Sequence, residues 1–132
     1  LKRIAKAEGV YDDMRFRDEI AKLEVDIIAL EMMVLRVLSA EKSGKQSLDI
    51  AGLLKIRGSE IQQRYTELMM LAAGPFSLPF IYEAMDAGWQ GDHVGAAHCA
   101  PLASSYFNMR KTTIYGGSNE VQRNIVAKTL LG

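Results

Sequence analysis

The sequence predicts an all-α fold, specifically an up-and-down four-helix bundle. Three observations carry this. Two long segments repeat apolar residues on a heptad rhythm. No stretch alternates with the period of a half-buried strand. Glycine, proline and small polar residues fall where those rhythms stop. A length of 132 residues gives a prior of one domain, 1–132, with a modest core. Residues 1–12 and 75–101 are less regular.

In the first segment Phe16, Ile20, Leu23, Ile27, Leu30, Val34 and Val37 recur at alternating spacings of four and three. That places one apolar stripe on a helix, with most charged residues elsewhere on its circumference. The spacing predicts a helix from Asp13 to Ala40, ending near Lys42-Ser43-Gly44.

In the second segment Leu54, Ile61, Tyr65, Leu68 and Ala72 keep the same rhythm. Gly58 interrupts it, and a glycine inside a helix costs roughly 1 kcal/mol against alanine. The expected return is the close approach of a neighbouring backbone. Ser47 or Asp49 is the expected cap, and Gly74-Pro75 stops the helix.

The stretch from Pro75 to Pro101 changes character. It holds every proline, Trp89, both histidines and Cys99. It reads as a long ordered loop with one short helical turn near Phe80 to Ala87; such loops are usually functional or pinned by other parts of a larger protein. After it come a helix from Ala103 to Thr112, a Gly116-Gly117 turn, and a last helix from Asn119 to Leu131. Asn119 with Gln122 three residues on fits a capping box, and Glu120 suits the positive end of the helix dipole.

Composition excludes several function classes. Lys+Arg and Asp+Glu are both 16, so the net charge is zero and nothing draws the chain to nucleic acid or an anionic membrane. The longest uncharged stretch, Leu68 to Tyr82, falls short of the roughly 20 apolar residues of a membrane span. One cysteine rules out an internal disulfide framework. No targeting signal is visible, which gives a cytoplasmic expectation. A start at Leu1 rather than Met points to a processed chain or a piece of something longer.

Among residues able to carry chemistry, the turn Gly116-Gly117-Ser118-Asn119-Glu120 is the most informative. Two glycines let a ligand approach the main chain, and the following helix start offers free N–H groups and positive potential. A plain helix–helix connection with a good cap has the same ingredients. His93, His98 and Cys99 share one segment but lack a second ligand pair at sensible spacing, so no metal is expected. Cys99 reads as a small buried residue. Ser104, Ser105 and His98 make no recognisable nucleophile arrangement. Met32, Met33, Met69 and Met70 read as adaptable core filling. Arg57, Arg64 and Arg123 read as solvated or paired, while Arg110 lies just ahead of the glycine turn.

Residues 110–132 read RKTTIYGGSNEVQRNIVAKTLLG. This run closely resembles the C-terminal signature of the acyl-CoA dehydrogenase family, and the helices before it are compatible. Members of that family place an N-terminal helical domain and a β-domain ahead of this bundle. They use FAD to dehydrogenate acyl-CoA thioesters between the α and β carbons, and usually pass electrons to an electron-transferring flavoprotein. The chemistry needs a base, a flavin beside the β-carbon, and donors to the thioester oxygen.

The resemblance assigns substrate contacts to Tyr115, Gly116 and Gly117, and FAD contacts to Ser118, Asn119, Glu120 and Gly74. It implies a homo-oligomer, dimer or tetramer, or a hetero-oligomer. Many members carry the catalytic glutamate where this chain has Gly116, so no catalytic residue is expected within these 132 residues. Isovaleryl-type members carry the base on an earlier helix, one that would precede Leu1. Two other readings follow from the same residues: a non-catalytic helical scaffold or partner subunit of such a complex, and an acyl-CoA oxidase, which passes electrons to oxygen.

Overall fold

The computed structural model describes residues 1–42 and 51–131. Its helices are α1 (Lys2–Ala7), α2 (Met14–Lys42), α3 (Ala51–Ala73), α4 (Leu102–Met109) and α5 (Asn119–Leu131). Short 3₁₀ turns lie at Gly74–Ser77, Tyr82–Met85, Ala97–Cys99 and Arg110–Thr113. Among the described residues there is no strand.

Local chemistry sets the ends. Asp13 caps α2: its Oδ1 accepts from the amides of Arg15 at 2.7 Å and Phe16 at 3.3 Å, as a start at Asp13 requires. Gly74 ends α3 with φ +57°. The expected stop at Ser43-Gly44 and the expected caps Ser47 and Asp49 lie outside the described residues.

One helix was not expected. α1 falls in a stretch read as irregular, and it forms because Ile4 and Ala5 are buried in the core. A helix of six residues is marginal by itself and depends on that packing.

α3 is the central helix; α1, α2, α4 and α5 all pack against it. The main core joins Ile4 and Ala5 of α1, Ile20 of α2, Ala72 and Ala73 of α3, Cys99, and Leu102 of α4. Phe16, Met69 and Met70 pack onto it. The methionines therefore fill gaps in part: Met33 is half-buried, but Met32 is 52% exposed.

The stripe on α2 is covered unevenly. Ile20 and Leu23 are buried, Leu30 and Val37 half-buried, and Ile27 and Val34 exposed. Among the described residues, α3 alone packs broadly along α2, and no second described helix covers the far end of the stripe. A further face of α2, formed by Val25, Ile28, Met32 and Leu35, is exposed along its length.

Ion pairs bridge the helices. Arg57 joins Asp26 of α2 at 2.6 Å and Glu60 at 2.7 Å. Arg64 joins Glu19 of α2 and Glu67. Arg123 of α5 joins Glu60 at 3.2 Å. These arginines are paired, as expected. No helix among the described residues is long and apolar enough to cross a membrane.

Candidate functional site at the glycine turn

The turn between α4 and α5 stands over a cavity of about 300 Å³. Leu54, Lys55, Gly58, Ser59 and Gln62 of α3 form one wall, and Thr112, Tyr115 and Gly116 form the other. The sequence motif and the concavity therefore coincide.

The segment entering the turn is fastened to α3. Gln63 Nε2 donates to the Arg110 carbonyl at 3.1 Å. Arg110 donates back to the Gln63 carbonyl at 2.8 Å, and its guanidinium stacks 4.2 Å from the Tyr106 ring centroid. Arg110 is thus engaged with backbone and an aromatic face. Buried Thr112 donates to the Met109 carbonyl at 2.8 Å.

The bend itself needs glycine. Gly116 has φ +66° and Gly117 φ +85°, values that side-chain-bearing residues rarely adopt. A Cβ at Gly116 would meet nothing within 4 Å, so a ligand has room beside the main chain there. A Cβ at Gly117 would lie 2.5 Å from Gln122 Nε2. Among the described residues, no acceptor within the chain stands against the amides of Gly116 and Gly117. Both glycines are exposed.

The capping differs from the sequence expectation by one residue. Ser118, not Asn119, caps α5: the Val121 amide donates to Ser118 Oγ at 3.4 Å. Gln122, half-buried against α3, donates from Nε2 to the Gly116 carbonyl at 3.2 Å, steadying the bend. Asn119 is already helical and is buried. Its Oδ1 accepts from Lys55 Nζ at 2.8 Å and Ser59 Oγ at 3.2 Å. Tertiary hydrogen bonds from α3 claimed the side chain that the capping pattern assigned to the cap.

Glu120 stands exposed in the first turn of α5. A hydrogen bond from its own backbone amide, then one from Ser118, hold its carboxyl below the usual range, and Arg123 and Lys55 add to this. Tyr115 is 54% exposed and borders the cavity. Among the described residues, none that lines the cavity carries a carboxylate. The site combines free amides, a helix start, a half-buried ammonium and an aromatic edge. That set suits a carbonyl oxygen or an anionic group.

Tyr115, Gly116, Gly117, Ser118, Asn119 and Glu120 lie together here. Gly74 does not. It follows Gln62 by twelve residues along α3, roughly 18 Å at 1.5 Å per residue.

The sequence reading missed the α3 wall. Lys55, Ser59 and Gln62 recur at helical spacing along one face of α3, but Arg57, Glu60, Arg64 and Glu67 on its other faces left that stripe without contrast in the sequence. Gly58 does not serve a backbone contact, since its nearest outside neighbour is Leu30 Cδ2 at 4.0 Å; it lines the cavity instead. The close approach occurs at Gly52, where a Cβ would lie 3.0 Å from Gln122 Oε1 and Val126 Cγ2 of α5.

The family model for the acyl-CoA dehydrogenase C-terminal domain matches residues 2–131. The chain belongs to the acyl-CoA dehydrogenase family. It is similar to a protein named Acyl-CoA dehydrogenase IpdE1 from Mycolicibacterium smegmatis, with 27% identity over 132 residues. That match covers 100% of this chain and 29% of the relative. No solved structure matches the chain. Within this family the all-helical arrangement is that of the C-terminal domain.

Proposed function

We propose that this chain is the C-terminal helical domain of an FAD-dependent enzyme that dehydrogenates an acyl-CoA thioester between its α and β carbons. The observation that carries the reading is the turn at Gly116 and Gly117, whose amides have no acceptor among the described residues and whose first glycine lines the cavity. Dehydrogenation begins with loss of an α-proton. That C–H becomes acidic only when the thioester oxygen is held by donors as negative charge builds on it. The Gly116 amide is assigned that role, because it needs no side chain. Gly117 lines the approach, and the ring of Tyr115 borders the acyl group.

The fit to FAD rests on chemistry present at the turn. Ser118 offers its hydroxyl, Glu120 its carboxylate and the α5 start its positive potential. Asn119 Oδ1 is already taken by Lys55 and Ser59, so Asn119 serves the flavin by fixing the helix start. Gly74, at the other end of α3, is assigned to a different part of a flavin. A bound FAD would supply the hydride acceptor for the β-carbon.

The base is assigned to a carboxylate outside these 132 residues, since Gly116 has no side chain and no described residue lining the cavity carries a carboxylate. Electrons would leave to an electron-transferring flavoprotein. Assembly as a dimer or tetramer is assigned to the exposed apolar face of α2.

The test uses the full-length protein without oxygen. Acyl-CoA added to the flavin-loaded enzyme should bleach the flavin; no bleaching with any chain length overturns the reading. Gly116 favours one rival, a non-catalytic partner subunit, which would bind acyl-CoA without bleaching. Peroxide formed in air at the rate of turnover would mark an oxidase instead.

A further inference from the structure

A second group of chemistry-bearing side chains sits away from the glycine turn, where the end of α1 meets the 3₁₀ turn Ala97–Cys99. Glu8 follows the last residue of α1, and its amide donates to the Ile4 carbonyl at 2.9 Å. His98 Nε2 lies 2.6 Å from Glu8 Oε1. Cys99 Sγ lies 3.8 Å from the same oxygen. One nitrogen, one sulfur and one oxygen thus lie within 4.8 Å of one another.

We propose that Glu8, His98 and Cys99 form a binding site for a thiophilic divalent cation of the zinc class. Three features support it. The donor set is mixed: thiolate and imidazole favour zinc-like ions over calcium or magnesium, and a carboxylate supplies negative charge. The spacing is within a small side-chain shift of coordination: tetrahedral zinc bonds of about 2.0 to 2.3 Å put ligand atoms roughly 3.3 to 3.7 Å apart, against 2.6 Å, 3.8 Å and at most 4.8 Å here. The burial is graded: Cys99 is fully buried, while the side chains of His98 and Glu8 keep 27% and 19% of their surface exposed. The ion would have a dry inner side and an open outer one. Three protein ligands then leave one position for water.

On binding, the Cys99 thiol gives its proton to solvent, and the Glu8–His98 hydrogen bond is replaced by a bond from each to the ion. The ion would join residues 90 apart in sequence, pinning α1 to the segment that enters α4. The sequence alone offered two of these ligands side by side; only the fold brings Glu8 to them.

The experiment is zinc analysis of the full-length protein after loading with zinc and desalting, joined to zinc K-edge absorption. One zinc per chain is expected, with a single sulfur at about 2.3 Å and lighter atoms at about 2.0 Å. Cys99→Ala and His98→Ala should each weaken zinc binding about 100-fold or more, beyond what even outer-shell partners contribute. Glu8→Gln, at a partly exposed position, should weaken binding while retaining a hydrogen bond to His98. It serves if the buried variant does not fold. Less than one zinc per chain, a sulfur-free shell, or zinc held equally by Glu8→Gln and the parent protein would each overturn the proposal. Flavin content is not the readout, so the result is independent of the proposed dehydrogenase activity.

Discussion

Lys55 on α3 donates to Asn119 Oδ1 at 2.8 Å, and that bond ties the start of α5 to the middle of the central helix. Asn119 is 4% exposed, and Ser59 donates to the same oxygen at 3.2 Å. The glycine turn is therefore held from both sides, by Gln63 before it and by Lys55 and Ser59 after it.

Asn119→Ala should cost about 1–3 kcal/mol, because it strips the partner from a half-buried ammonium. Lys55→Met should show coupling to it of about 0.5–3 kcal/mol in a double-mutant cycle. Urea unfolding of the full-length protein measures both. Strict additivity would mean that the two side chains do not support each other.

Gly116→Ala and Gly117→Ala both force a side chain into the left-handed region, at about 1–2 kcal/mol each. They should nevertheless differ. The methyl at Gly116 enters open space, whereas that at Gly117 displaces the Gln122 carboxamide from its bond to the Gly116 carbonyl. Gly117→Ala should be the more destabilising, and adding Gln122→Ala should remove the difference. Thermal melts of the single and double variants decide this.

Gly58→Ala should stabilise the fold and harm the site. Alanine gains up to about 1 kcal/mol over glycine in a helix interior, and the nearest outside atom stands 4.0 Å away. The same methyl projects into the cavity wall. A higher melting temperature with weaker acyl-CoA or flavin binding is expected. Gly52→Ala should show no such gain, because its Cβ presses on Gln122 and Val126.

These glycines mark what the sequence could tell. Asp13 and Gly74 set helix ends through chemistry confined to a few residues, so both ends were legible. The turn at Gly116-Gly117 was legible for the same reason. Which helical glycine meets a neighbour was not, because that depends on the register of α5 against α3. α1 escaped because its stability comes from burying Ile4 and Ala5, not from a periodic pattern. Ser118 rather than Asn119 became the cap because Lys55 and Ser59, some sixty positions earlier, claim the Asn119 oxygen.

Glu120 gives a pH prediction. Its folded carboxyl lies below the ordinary value of 4.5, chiefly through its own backbone amide and then Ser118. A lowered carboxyl contributes stability that is present above the unfolded value and is lost as pH falls through the folded one. Glu120→Gln should therefore lower the urea midpoint at neutral pH and leave it unchanged well below the folded value. The two proteins' midpoints should converge through the acid range. A constant gap between them at every pH would remove Glu120 as the titrating group.

The outer face of α2 gives the last prediction. Val25, Ile28, Met32 and Leu35 are 66%, 58%, 52% and 52% exposed and share one face at helical spacing. Leaving four such side chains in water forfeits their burial energy, which is roughly 1.5 kcal/mol or more for each when fully covered. A second copy of the chain, presenting the same face, would cover them through a two-fold interface. Ile28→Lys with Leu35→Glu introduces charges on that face without touching the buried Ile20 and Leu23. The pair should shift the full-length protein to a smaller species in sedimentation velocity, with helicity retained. An unchanged sedimentation coefficient would rule out a subunit contact through this face.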